Sequence, residues 1–140
     1  MAIARGIRNN NPLNIRRSDQ KWFGQRDFQT DREFVEFKTM QYGFRAAFIC
    51  LRTYINKYHI DSVGRIIHRW APSTENNTDA YVKQVCRLTK FEPSHPISFE
   101  NRHDICSLVL AMAIVETGHI FRPSEIYTAY DKLVANNNTF

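Results

Sequence analysis

The sequence predicts a mainly helical (α+β) domain: a helical bundle with a small β-hairpin lobe flanking a cleft. Two observations carry this expectation. From Gly43 onward, apolar residues recur at three- and four-residue spacing in successive segments, the mark of helices with one buried face. Before them, two short aromatic runs, around Trp22-Phe-Gly24 and Phe34-Val-Glu-Phe37, flank a polar bend through Asp31, the pattern of a hairpin. The chain, 1–140, is read as a single domain, long enough for a core of its own.

The elements follow in order. Residues 1–20 are polar, rich in Asn and Arg, and contain Asn11-Pro12; they are expected to form an ordered loop with one short helical turn around Leu13 to Arg16. The hairpin comes next. Phe44, Ala47, Phe48, Leu51, Ile55 and Tyr58 make one face of a helix over Gly43 to Tyr58. Ser62 caps a short helix that ends near Trp70, with Val63, Ile66 and Ile67 inward and Pro72 as its stop. A polar loop, 73–77, leads to a helix from Thr78 to about Leu88. Pro93 and Pro96 mark a connector. The most apolar helix of the chain follows, about Asn101 to Thr117. A last helix starts with Pro123 in its first turn and runs to Val134, after which the tail is expected to fray.

Composition excludes more than it selects. No run of about 18 apolar residues exists, so no transmembrane segment is expected. The first residues lack an apolar signal core, so the chain is read as made in the cytoplasm without a secretory signal. Cys50, Cys86 and Cys106 are odd in number and sit in apolar helical contexts, which points to buried free thiols. His103 and Cys106 share a helical face, but two residues do not make a metal site; neither a metal nor a cofactor is expected. The net charge of +5 favours polyanions in general. Scattered basic residues and the lack of a basic recognition helix argue against a specific nucleic-acid partner.

One acid stands out. Ile105, Leu108, Val109 and Met112 form an apolar stripe, and Glu116 is its next member. Its carboxyl therefore points to the core side, in the last helical turn, where the helix dipole disfavours negative charge. Gly118 just beyond it is a helix-ending residue. Burial and dipole both favour the protonated form, which suits a general acid. An ion pair with Arg122 or His119 is the structural alternative.

Glu116-Thr117-Gly118 at the end of an apolar helix resembles the catalytic signature of the lysozyme-like superfamily. Two further segments point the same way. Arg8-Asn-Asn-Asn-Pro-Leu-Asn-Ile-Arg16, then Trp22-Phe-Gly24, then the run from Phe34 to Ala46, is similar to the Asn-Asn-Pro-Gly-Asn-Ile-Arg segment of phage and prophage muralytic proteins, with Leu13 in place of the usual glycine. Thr78-Asp-Ala-Tyr81-Val-Lys-Gln-Val85 is similar to the Thr-x-x-Tyr-Val-x-x-Val helix of lytic transglycosylases, whose tyrosine lies beside the catalytic acid. In glucosaminidases and transglycosylases the glutamate helix precedes the hairpin; here it follows, as in a circular permutation.

The resemblance implies a peptidoglycan-cleaving glycosidase of muramidase or lytic transglycosylase type, with Glu116 as general acid. Asp27, Asp31, Glu33 and Glu36 are candidates for a second acid, because the hairpin should border the cleft. Phe34 and Phe37 lie on opposite strand phases, so which acid faces inward stays open. Tyr81, Tyr42, Trp22, Asn11, Asn14 and Thr117 are candidate substrate-binding residues; Trp70 could also stack on sugar but reads more readily as core. The implied partners are glycan strands of peptidoglycan and other virion proteins. The implied place of action is the cell wall or periplasm, reached in a phage particle or through holin-type release. The alternative from another class is a non-catalytic virion protein that binds the wall with the same fold.

Overall fold

The computed structural model describes residues 3–135 and is mainly helical, with six helices and no continuous strand among those residues. They are α1 (Arg5–Arg8), α2 (Met40–Tyr58), α3 (Val63–Trp70), α4 (Thr78–Thr89), α5 (Arg102–Thr117) and α6 (Pro123–Val134). The five longer ones lie where periodicity puts them. The expected helical turn at Leu13 to Arg16 is absent, and the short helix forms earlier, as α1. Leu13 is instead fully buried in the core, and the following Asn14 adopts a left-handed conformation (φ 55°) that ends any helical run. The expected fraying tail lies outside the described residues.

Side chains set the helix boundaries. Thr39 accepts a hydrogen bond from the Tyr42 N–H and starts α2 three residues before the apolar face begins. Asn77, rather than Thr78, caps α4 by accepting from the Ala80 N–H, and Asn101 caps α5 through the Asp104 N–H. Thr78 is buried one position inside α4, and its hydroxyl donates to the Ala71 carbonyl, which ties the loop between α3 and α4 shut.

The helix α5 is buried on several sides, with Ile105, Cys106, Leu108, Val109, Ala111, Met112 and Ala113 all nearly inaccessible. It packs against α4 and α6; α6 returns to α2, α3 meets α4, and α1 rests on α5. Phe44, Phe48, Phe99, Phe121 and Tyr130 fill the space between these helices with edge-to-face contacts. Cys106 is buried and Cys50 and Cys86 are half-buried; all three are free thiols, and burial pushes the thiols of Cys50 and Cys106 up to about 12. No helix among the described residues is long and apolar enough to cross a membrane.

The β-hairpin lobe is not formed. The segment 33–37 lies between two stretches, meeting 15–17 on one side and 24–26 on the other through isolated bridges, Arg16 with Phe34 and Gln25 with Phe37. Side chains occupy the backbone groups that a ladder would need. Glu36 accepts from the Thr30 N–H, the Thr30 hydroxyl and the Asp31 N–H; Asp31 accepts from the Glu33 and Phe34 N–H groups; Gln29 brackets Glu36 at both its N–H and its carbonyl. Val35, Glu36 and Phe37 are consecutively buried, so the alternation expected of a half-exposed strand is absent. This irregular segment packs on α2 as a second small core of Ile15, Trp22, Val35, Phe37 and Ala46.

Candidate functional site

Three separate segments converge on one carboxyl group. The end of α5 supplies Glu116, half-exposed at the rim of the core, where the apolar stripe meets the surface. Gly118 closes the helix in the left-handed conformation (φ 71°), with its N–H on the Ile114 carbonyl at 2.8 Å. The second turn of α4 supplies Tyr81, whose hydroxyl donates to Glu116 Oε2 at 2.9 Å. The loop after α1 supplies Asn14, whose Nδ2 donates to Glu116 Oε1 at 2.9 Å. The Trp70 indole N–H donates to the Leu13 carbonyl at 3.2 Å and lies close enough to Glu116 to favour its ionised form as well.

These donors and the Arg16 charge favour ionisation, but they do not win. Burial raises the Glu116 pKa above the ordinary glutamate value because desolvation outweighs the neutral hydrogen bonds. Tyr81 is pushed well above the usual phenol range, by its own burial first and by the Glu116 charge second, so its hydroxyl remains a donor. Arg122 and His119, the bases considered from sequence, do not hold Glu116: its two oxygens accept from Asn14 and Tyr81, and the His119 ring packs edge-on against Phe121.

Glu116 lines two of three depressions that share residues and together form a groove. One, about 290 Å³, is lined by Asn76, Asn77, Tyr81, Gln84 and Glu116 among others. A second, about 90 Å³, shares Glu116 and Asn76 and adds Arg16, Phe34, Trp70 and Glu75. A third, about 250 Å³, shares Asn14, Arg16 and Trp70 and reaches Tyr54. The residues shared between neighbouring depressions join the three into one run.

Of the residues singled out from sequence, Glu116, Tyr81 and Asn14 come together. Trp70, read more readily as core, packs against the core and also lines two of the depressions; the others do not line this groove. Asn11 is fully buried and braces its own loop, accepting from the Ile15 N–H and donating to the Ile15 and Val35 carbonyls. Trp22 is buried in the second core. The Tyr42 ring covers Gly24, whose positive φ (79°) and contact with that ring leave no room for a Cβ, and it leans on Phe23 with centroids 5.7 Å apart. Thr117 donates its hydroxyl to the Ala113 carbonyl and accepts from the His119 N–H, so it finishes the helix.

The four hairpin acids are likewise placed elsewhere. Asp31 is buried and gripped by Arg5 at 2.6 and 2.7 Å and by Asn9 at 2.9 Å, which holds its carboxyl well below the usual carboxylate range. Glu36 is buried among Thr30, Asp31 and Arg26, and these hydrogen bonds lower its pKa despite burial. Both are scaffold groups, because their acceptor sites are filled by protein donors. Glu33 is exposed and meets Arg5 and Arg16, and Asp27 is exposed on the loop; neither lines the groove.

Sequence reasoning missed Glu75, Asn76, Gln84 and Arg16 as groove residues. Glu75 stands in the same small depression as Glu116 and meets Arg16 at 3.7 Å. Its one available signal was its position just before the Tyr81 helix, in a loop otherwise read only as polar. Among the described residues, no cluster of three or more His, Cys, Asp and Glu is arranged to hold a metal.

The Tyr81 hydroxyl gives a testable pH effect. It favours the charged form of Glu116, so Tyr81→Phe is expected to raise the Glu116 pKa further. A carboxyl midpoint that moves to lower pH in carbon-13 titrations of the variant would contradict this arrangement.

No protein-family model matches the chain. Protein P5 of Pseudoalteromonas phage PM2 is 39% identical to it over 112 residues, covering 78% of this chain and 70% of P5.

Proposed function

The chain belongs to the family of Protein P5 from Pseudoalteromonas phage PM2, and we propose that it is a peptidoglycan-cleaving glycosidase, of muramidase or lytic transglycosylase type. The observation that carries this reading is the state of Glu116: a desolvated carboxyl with a raised pKa, fixed by Tyr81 and Asn14 and lining two depressions of the groove. A glycosidic oxygen is a poor leaving group until it is protonated, and a carboxyl whose pKa is raised by burial is suited to protonate it. The resemblance of Glu116-Thr117-Gly118, of the Asn-Asn-Pro loop and of the Tyr81 helix to lysozyme-like muralytic proteins supports the same reading, with a lysozyme-like bundle in permuted order.

In this mechanism the glycan lies along the groove with Trp70 under one sugar face and Asn76 and Gln84 at its polar edge. Glu116 gives its proton to the bridging oxygen as the bond from that oxygen to C1 breaks, and the resulting carboxylate is then held by the Tyr81 and Asn14 donors. The positive charge that develops at C1 is answered in one of two ways. The substrate's own N-acetyl oxygen or 6-hydroxyl attacks, or water attacks with help from a carboxylate, for which Glu75 is the one across the depression. Attack by the 6-hydroxyl, whose proton returns to the Glu116 carboxylate, gives an anhydro sugar; attack by water, directly or on an oxazolinium formed by the N-acetyl oxygen, passes its proton to a carboxylate and gives a reducing end. The net positive charge of the chain favours approach to an anionic wall, which a phage protein reaches inside a particle or after the inner membrane has been opened.

Mass spectrometry of fragments released from purified sacculi tests the proposal. Anhydro-muramyl ends from a lytic transglycosylase or reducing muramic acid ends from a muramidase are the expected products; reducing glucosamine ends would mark a glucosaminidase instead. Binding to sacculi with no fragment released would contradict an enzyme and favour a wall-binding virion protein.

A further inference from the structure

We propose that Arg16 is an anion-recognition residue of this groove and selects glycan strands that carry a carboxylate over neutral amino-sugar polymers. The inference rests on the glycosidase reading for the groove's ligand, but not on Glu116 for its logic. Arg16 lies at the junction of two depressions, lining both the one that holds Glu116 and the one that reaches Tyr54. A ligand threaded along the groove must pass it.

The bonding of this guanidinium separates it from the structural arginines of the chain. Arg5 grips Asp31 with two contacts of 2.6 and 2.7 Å, and Arg102 grips Asp131 with two of 2.8 and 2.9 Å. Those are short, charge-assisted, two-point pairs. Arg16 instead reaches Glu33 at 3.6 Å and Glu75 at 3.7 Å, one nitrogen to each, with more than half of each side chain exposed. Separations of that length in solvent hold weakly. The guanidinium lies over the Phe34 ring, 5.2 Å from its centroid, and Arg5 lies over the same ring at 4.7 Å. A carboxylate arriving in the groove can take both N–H groups at short range, and neither Glu33 nor Glu75 does so.

Two sources of that carboxylate exist on a peptidoglycan strand. Intact strands present the acids of the peptide stem. Strands stripped of their stems by an amidase present the lactyl carboxylate on the sugar. Chitohexaose, of similar backbone, presents neither.

The test is binding of these three soluble ligands to full-length Glu116→Gln protein, so that nothing is consumed and the charge effect of Arg16 on the acid is removed. Adding Arg16→Gln is expected to weaken binding of the acidic strand about 10- to 100-fold while chitohexaose changes less than about twofold. Adding Arg16→Lys instead is expected to recover part of the loss, as a point charge without the two-pronged fork does. Loss on stripped strands assigns the lactyl group; loss confined to intact strands assigns the stem. Equal weakening toward chitohexaose would mean that Arg16 only braces the loops bearing Glu33 and Glu75, and would overturn the proposal. So would unchanged or absent binding of both acidic strands. If sacculi release no fragments but the charge-dependent contrast remains, the enzyme reading has failed and the recognition reading stands.

Discussion

Glu116→Gln is expected to lower release of wall fragments by about 100- to 10,000-fold, the range of a lost general acid, while leaving the fold in place. Glutamine keeps the shape of the side chain and can still accept from Tyr81 or Asn14, but it has no proton to give. The same change is expected to raise the melting temperature at neutral pH. The folded protein holds the Glu116 proton more tightly than the unfolded chain does, because burial raises its pKa. Stability from such a group is present below the unfolded value, near 4.3, and is lost as pH rises through the folded value. Above the folded value the buried charge is therefore a burden that glutamine relieves. An inactive, more stable variant would separate a functional acid from a structural one. A structural ion pair broken by the same substitution would give the opposite, an unstable protein.

Asp31→Asn is expected to do the reverse: lower stability by roughly 1–2 kcal/mol at neutral pH, because Arg5 is partly solvated, while leaving the activity of the folded fraction intact. Asp31 is buried, with Arg5 on both oxygens and Asn9, Glu33 and Phe34 donating as well. Its carboxyl is held well below the ordinary range, first by the Arg5 hydrogen bonds. Its stabilising effect is present above the unfolded value, near 3.9, and is lost as pH falls through the folded one. Denaturant melts of the two proteins should therefore differ most near neutrality and converge in strong acid. A variant that is fully stable yet inactive would move Asp31 from the scaffold to the chemistry.

These two acids show what could be read from the sequence. The helices were legible because Phe44-Phe48-Leu51-Ile55 and Ile105-Val109-Met112 repeat over several turns, and nothing local competes with that pattern. Glu116 was legible for the same reason: an acid on an apolar stripe breaks a regular rule. The hairpin was not, because its aromatic runs are real but Gln29, Asp31 and Glu36 take the backbone groups that a ladder would use, and side-chain capture of that kind has no periodicity. Asn11 and Asn14 belong to one short loop with the same chemistry; left-handed backbone at Asn10 and Asn14 shapes that loop, and Asn14 reaches Glu116 while Asn11 turns inward. Glu75 and Arg16 come to the groove through the packing of α3 and α4 against the N-terminal loop, a juxtaposition of distant segments that no local pattern encodes.

Carbon-13 titration of the Glu116 carboxyl in the free protein tests the central claim most directly. The expected midpoint lies clearly above the ordinary glutamate value near 4.3 and coincides with the alkaline limb of kcat/KM on peptidoglycan strands. A midpoint at or below the ordinary value, with activity persisting well above it, would remove Glu116 as the proton donor.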